Sequence, residues 1–148
     1  MIRFTNSVPL GMLVFLIAPA LTACKLSWEM PDASKYIHAQ AKQVPAYAVG
    51  TWTGGMGPFV MTMQVDAGGT AVICHSSGHK EATGKAKHKD GVFYFSDGGY
   101  AELRQGASGE PELVLSGDDN LLSQLREDSS LTLATPYCAK FFTELDAQ

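Results

Sequence analysis

The residues with the most chemical potential lie between positions 74 and 89, in the stretch CHSSGHKEATGKAKHK. It holds three of the four histidines, His75, His79 and His88, together with Lys80, Lys85, Lys87 and Lys89. A metal site needs three or four converging ligands, and histidine is the commonest. Cys74, His75 and His79 would offer one thiolate and two imidazoles. Ser76, Ser77 and Gly78 read as a loop, however, and a loop has no fixed helical face, so the i, i+4 spacing of His75 and His79 carries no register. The plainer reading is a solvated hairpin tip, since charge runs are usually solvated faces. No metal or other cofactor is assigned. The same segment, with His75, His79, Lys85, Lys87 and His88, is a candidate recognition loop. A basic loop on an acidic body steers encounters with an acidic partner.

Catalytic constellations are hard to find. Ser76 and Ser77 stand beside His75 without the Gly-x-Ser-x-Gly elbow that exposes a nucleophile. Asp66, Asp90 and Asp97 occupy turn positions where aspartate is structurally preferred. Asp118 and Asp119 would suit acid–base work as a pair, but they also suit a loop or a helix cap. Met61 and Met63 share a strand face, and such a pair is more often core than copper site. Phosphate loops and dinucleotide fingerprints are missing. No enzyme is expected. The net charge of -4 leaves no broad basic surface for nucleic acid.

Positions 1–7 carry one charge, Arg3, and positions 8–20 (VPLGMLVFLIAPA) carry none. That run is short of the roughly 20 apolar residues of a spanning helix, and it fits the apolar region of a secretion signal. It ends in Leu21-Thr22-Ala23-Cys24, which resembles the lipobox of bacterial lipoproteins. The resemblance covers about the first 24 residues. It implies cleavage after Ala23, a diacylated Cys24 thiol and an acylated new amino group. Several acyl chains anchor stably where one does not. Lys25 follows the cysteine where an aspartate would retain the protein at the inner membrane. The resemblance therefore implies an outer-membrane address, facing the periplasm. Loss of residues 1–23 removes Arg3 and no acid, which leaves ten basic against 15 acidic residues and a formal charge of -5. Such a body gains nothing overall from anionic headgroups, so the acyl chains are expected to hold it to the membrane.

Three cysteines are an odd count for an exported chain. With Cys24 lipidated, Cys74 and Cys138 are left, in a compartment that permits disulfides, and they are expected to pair. The alternative is two buried free thiols, since free cysteine packs as a small hydrophobe.

The elements that must position these residues are mostly strands. Residues 24–46 read as a lipidated tether and lead-in, with a short helix after Asp32 as N-cap. Residues 47–148 form the domain. Phe59, Met61, Met63 and Val65 alternate with Val60, Thr62, Gln64 and Asp66, as in a half-buried strand. Further strands are expected at 47–54, 70–74, 92–95, 100–105, 112–116 and 130–134, with a weaker one at 83–89. Asp90-Gly91 and Asp97-Gly98-Gly99 are hairpin signals. Leu121, Leu122 and Leu125 read as a helical turn or a ragged strand. Thr135-Pro136 forms an N-cap and N1 pair, and Cys138, Phe141, Phe142 and Leu145 share the face of a short closing helix. The class is mainly β: a small antiparallel up-and-down barrel or sandwich of about eight strands.

Gly50-Thr51-Trp52 opens the first strand. It resembles the Gly-X-Trp start of lipocalins and lipocalin-like domains. In that family the Trp closes one end of an antiparallel barrel, whose interior may hold a small apolar ligand. Trp52, Met61, Met63, Phe93 and Phe95 are then ligand-lining or core residues. Eight strands leave an interior that side chains just fill or that holds one small ligand. The large residues on these strands favour a filled one. Size, anchor, acidic charge and disulfide potential also resemble periplasmic lysozyme inhibitors in type. The expected function is a membrane-anchored, non-enzymatic binding or protein-interaction module of the cell envelope. The alternatives are a carrier of a small apolar ligand, an inhibitor-like protein or, further off, a metal-binding loop. The partners are an unidentified envelope protein or a small ligand, with the membrane itself reached through Cys24.

Overall fold

Period-two alternation of apolar and polar residues gives each strand one face to bury, and hairpin turns let successive strands pair. The computed structural model describes residues 32–116 and 121–147. In it the strands β1 Gly50–Met56, β2 Phe59–Val65, β3 Thr70–Ser76, β4 Glu81–Lys89, β5 Val92–Phe95, β6 Tyr100–Gln105, β7 Pro111–Leu115 and β8 Leu122–Glu127 follow one another round a closed antiparallel barrel. β8 returns to β1 through the pairs Trp52–Glu127, Thr53–Arg126 and Gly54–Leu125. A helix α1, Ser34–His38, precedes the barrel and a helix α2, Pro136–Asp146, follows it.

Asp90 and Gly91 both take positive φ, 53° and 84°, the primed turn that matches strand twist. The interior is built from Trp52, Met61, Met63, Val65, Ile73, Phe93, Leu103, Leu113 and Leu125, all buried. On β4 the inward positions are small, Gly84 and the buried Ala86, and end at the buried His88.

One end of the barrel is closed by the lead-in. The Lys42 backbone N–H donates to the His88 carbonyl (2.8 Å) and that of Val44 to the Ala67 carbonyl (3.4 Å). The Trp52 indole N–H donates to the Ala48 carbonyl at 3.0 Å, within the 3-10 turn Ala46–Ala48. Gly69 makes room for this crossing: a Cβ there would lie 1.9 Å from the Lys42 carbonyl oxygen, and its φ is +89°. The opposite end carries the turns at 57–58, 77–80 and 96–99.

A second core lies outside the barrel. Thr135 caps α2 by accepting the Cys138 N–H, with Pro136 in the first turn. The helix then lays Cys138 and Phe142 against Cys74 and Val72 of β3, with Phe141 and Leu145 beside them. The Cys74–Cys138 disulfide is formed, with Cα atoms 5.6 Å apart. The segment between β8 and α2 is fixed by the buried Asp128 carboxylate. It accepts the backbone N–H of Leu133 (3.0 Å) and Ala134 (2.9 Å) and the Thr53 hydroxyl (2.8 Å). With that proton spent, the Thr62 hydroxyl donates to Thr53 at 2.8 Å.

Three expectations are corrected. Residues 130–134 are not a strand: Asp128 captures their backbone N–H groups, Leu131 takes φ 58°, and the eighth strand is Leu122–Glu127. The recognition loop expected over 75–89 shrinks to the turn at 77–80, closed by the Ser77 N–H on the Lys80 carbonyl (3.0 Å), and the weaker strand expected at 83–89 is β4, Glu81–Lys89. The N-cap of α1 is Ala33 and not Asp32, which instead accepts the Ser34 N–H at 2.9 Å and its hydroxyl at 2.6 Å. Cys24, the signal region 1–23 and the Asp118-Asp119-Asn120 turn lie outside the described residues.

Candidate functional site: the barrel mouth and the outer faces

Inward residues near the turns at 57–58, 77–80 and 96–99 form the open end. There Met56, Met61, Ile73, His75, Gly84 and Phe95 line a cavity of about 190 Å³, with Lys85 and Asp97 at its edge. Ligand pockets for drug-sized molecules run to about 300–1,000 Å³, so this one is small. His75 is half-buried and packs its ring edge-on against Phe59, with centroids 5.3 Å apart. Phe95 is half-buried at the mouth and packs against the core.

Below the mouth the barrel is full. Met61, Met63 and Phe93 are each 1% exposed and Trp52 is 8% exposed. Phe93 packs against the His88 ring (5.4 Å between centroids) at the closed end, where His88 Nδ1 lies 3.1 Å from the Lys42 carbonyl. A carbonyl can only accept, so Nδ1 carries a proton. His88 Nε2 and Ser123 Oγ are buried polar atoms with no hydrogen-bond partner among the described residues.

The histidine–lysine segment is divided by the strands. His75 faces the mouth, His79 is exposed in the turn, and His88 is buried at the far end. Lys85 and Lys87 are on the outer face of β4. Cys74 is spent in the disulfide, and among the described residues no group of three His, Cys, Asp or Glu side chains converges on a metal position. The single recognition loop expected over 75–89 therefore does not exist as a unit. The Ser76 hydroxyl accepts the Gly78 N–H, a turn-stabilising role.

Two outer features escaped the sequence reading. Val92, Glu102, Val114 and Leu122 are cross-strand neighbours on the outside of β5–β8. With Tyr100 and Arg104 they line an open groove of about 550 Å³, in which Leu122 is 47% exposed and Glu102 and Arg104 form an ion pair at 2.7 Å. Arg104 holds the Glu102 carboxyl below its ordinary pKa. Beside this groove, α1 sits on the sheet through cation–π contacts: Lys35 over Tyr100 at 4.5 Å and Lys87 over Tyr36 at 4.6 Å. The pairing of Val92, Glu102, Val114 and Leu122 depends on the register of four strands and so was not visible along the chain.

Among curated proteins none matches the chain. The crystal structure of a lipoprotein YedD from Klebsiella pneumoniae subsp. pneumoniae is similar in fold, with a TM-score of 0.52 at 14% identity over 76% of this chain and 96% of that one. The model of one family, described as bacterial lipocalin LPS transport optimiser YedD, matches residues 33–142. The Gly50-Thr51-Trp52 strand, the closed eight-stranded barrel and this match over most of the sequence agree: the chain belongs to the YedD family of lipocalin-like bacterial lipoproteins.

Proposed function

We propose that the protein is a periplasm-facing lipoprotein of the outer membrane, anchored by an acylated Cys24 once residues 1–23 are removed. In this reading it supports lipopolysaccharide transport by contact with envelope partners and not by catalysis or bulk carriage. That the family is described as an LPS transport optimiser supports the transport role. The observation that carries the mode of action is the filled barrel: Met61, Met63, Phe93, Leu113 and Leu125 occupy the space that an acyl chain would need. The groove outside β5–β8 is then the contact surface, with exposed Leu122 and Tyr100 as apolar anchors inside a charged rim of Glu102 and Arg104. An inhibitor-like action is less well supported, because the turn at 77–80 is tight, closed by the Ser77 N–H on the Lys80 carbonyl.

A photo-crosslinking residue in place of Leu122, in living cells, tests this. Adducts with a component of the lipopolysaccharide transport machinery are expected from position 122 and not from Lys140 on α2. Adducts equal at both positions, or none at 122, would refute the groove. The cavity at the mouth favours a second reading, a small ligand seated against Met56, His75 and Phe95. Native mass spectrometry of protein extracted from the envelope distinguishes it, since a retained small molecule would shift the mass of the folded species.

A further inference from the structure

That residues 81–89 form a full strand has a spatial consequence. In a loop the lysines would scatter. In a strand, positions two apart share a face, so Lys85, Lys87 and Lys89 line up on the outside of β4 while Gly84, Ala86 and His88 face inward. α1 adds Lys35 to the same side, because the Lys87 ammonium donates to the Tyr36 carbonyl (3.2 Å) and Tyr94 and Tyr100 continue the row from Lys87. Among the described residues none of these four lysines is in an ion pair, whereas Lys42 is paired with Asp90 and Arg104 with Glu102. Asp90 and Glu102 are thus already paired with cations, while Asp32, which lies near Lys35, accepts from Ser34. An acidic molecule carries one locally basic face.

Two further observations say what this face meets. Ile37 of α1 is 66% exposed on a helix with no buried residue. The chain also enters the described structure here: α1 begins ten residues after Cys24, a length of chain that can reach at most about 35 Å. A lipid anchor at Cys24 therefore keeps this face close to the bilayer.

We propose that the outer face of β4 together with α1 rests on the anionic headgroups of the bilayer that holds the anchor, through Lys35, Lys85, Lys87, Lys89 and the side chain of Ile37. The inference rests on the reading of Cys24 as the anchor. It adds an orientation: the β5–β8 groove lies beside the membrane surface, and α2 stands further along the barrel wall. Basic residues near a charged leaflet gain attraction that fades beyond a Debye length.

The test uses the mature lipidated protein in vesicles of phosphatidylcholine, with and without about one-third phosphatidylglycerol. Amine acylation by a membrane-impermeant reagent is read lysine by lysine. Lys35, Lys85, Lys87 and Lys89 should react about threefold more slowly or less on the anionic vesicles, with Lys140 unchanged and the protection lost at high salt. The double variant Lys85→Gln/Lys89→Gln, which breaks no side-chain hydrogen bond or ion pair among the described residues, should return Lys35 to its unprotected rate. Protein that floats with both vesicles and reacts equally on both overturns this inference and leaves the anchor standing. Protein that fails to float overturns the anchor and the orientation with it. Protection of the same lysines by soluble polyphosphate, with none from anionic vesicles, would assign the face to a polyanionic partner and not to the membrane.

Discussion

At the scale of single residues, the barrel depends on a few polar groups that tie its loops down. Asp128 is the most consequential. Asp128 is 2% exposed, and its carboxylate accepts two backbone N–H groups and two hydroxyls, those of Thr53 and Thr132. Asp128→Ala removes the acceptor of the buried Thr53 hydroxyl and of the part-buried Leu133 and Ala134 N–H groups. The expected cost is about 3 kcal/mol, a fall in Tm of roughly 10 °C, measurable by thermal circular dichroism. Asp66 offers a pH-dependent counterpart at the surface. The Thr70 hydroxyl holds its carboxyl below the ordinary value of 3.8, with help from the backbone N–H groups of its turn. A carboxyl depressed in the folded state stabilises above its unfolded pKa and loses that contribution as pH falls through the folded one. The Tm gap between the wild type and Asp66→Asn should thus be present at pH 6 and shrink below pH 3.8, within a contribution of about 1 kcal/mol at most. A gap that is constant across that range would refute the assignment. The shared face of Met61 and Met63, both of them buried, was legible from the strand alternation. The buried position of His88 was not, because a histidine flanked by two lysines reads as solvated until the strand face is known.

At the scale of elements, seven of the eight strands followed from period-two patterning and turn residues. The eighth did not. Leu122 and Leu125 are spaced by three, and its inward positions are Ser123 and Leu125 only, so the alternation is thin. Residues 130–134 carry a better alternation, SLTLA, but Asp128 competes for their backbone and wins. β4 was underrated for a related reason: its inward side is Gly84 and Ala86, small residues that contribute little to an apolar signal, although the alternation with Thr83, Lys85 and Lys87 is present. The closing helix was legible from Thr135-Pro136 and the spacing of Cys138 and Phe142. Its attachment yields a prediction. The disulfide closes a sequence separation of 64, worth about 4 kcal/mol in the chain-entropy account. The variant Cys74→Ala/Cys138→Ala should keep the barrel's far-ultraviolet spectrum while amides of α2 exchange hydrogen much faster. Equal loss of protection in β5–β7 would show instead that helix and barrel unfold as one unit.

At the scale of the whole molecule, closure is the property that matters, since a barrel has no free edges only while its last seam holds. β1 and β8 meet through Gly54, where an added Cβ would come 2.4 Å from the Gln124 carbonyl oxygen and 2.9 Å from Leu125. At the neighbouring Gly55 a Cβ would meet nothing within 4 Å. Gly54→Ala should therefore destabilise the fold by about 2 kcal/mol or more, while Gly55→Ala should change denaturant midpoints little. Comparable midpoints for the two variants would show that the seam yields without cost. The disulfide stands apart from this seam in one more respect. Cys138 follows all eight strands in the chain, so a polypeptide emerging amino-terminus first presents every strand before the second thiol exists. Oxidation therefore comes too late to choose a strand pairing and acts as a seal on an order already found. A cell short of oxidant would accumulate a correctly wound barrel with its final helix unlatched, a product that a later supply of oxidant can still complete.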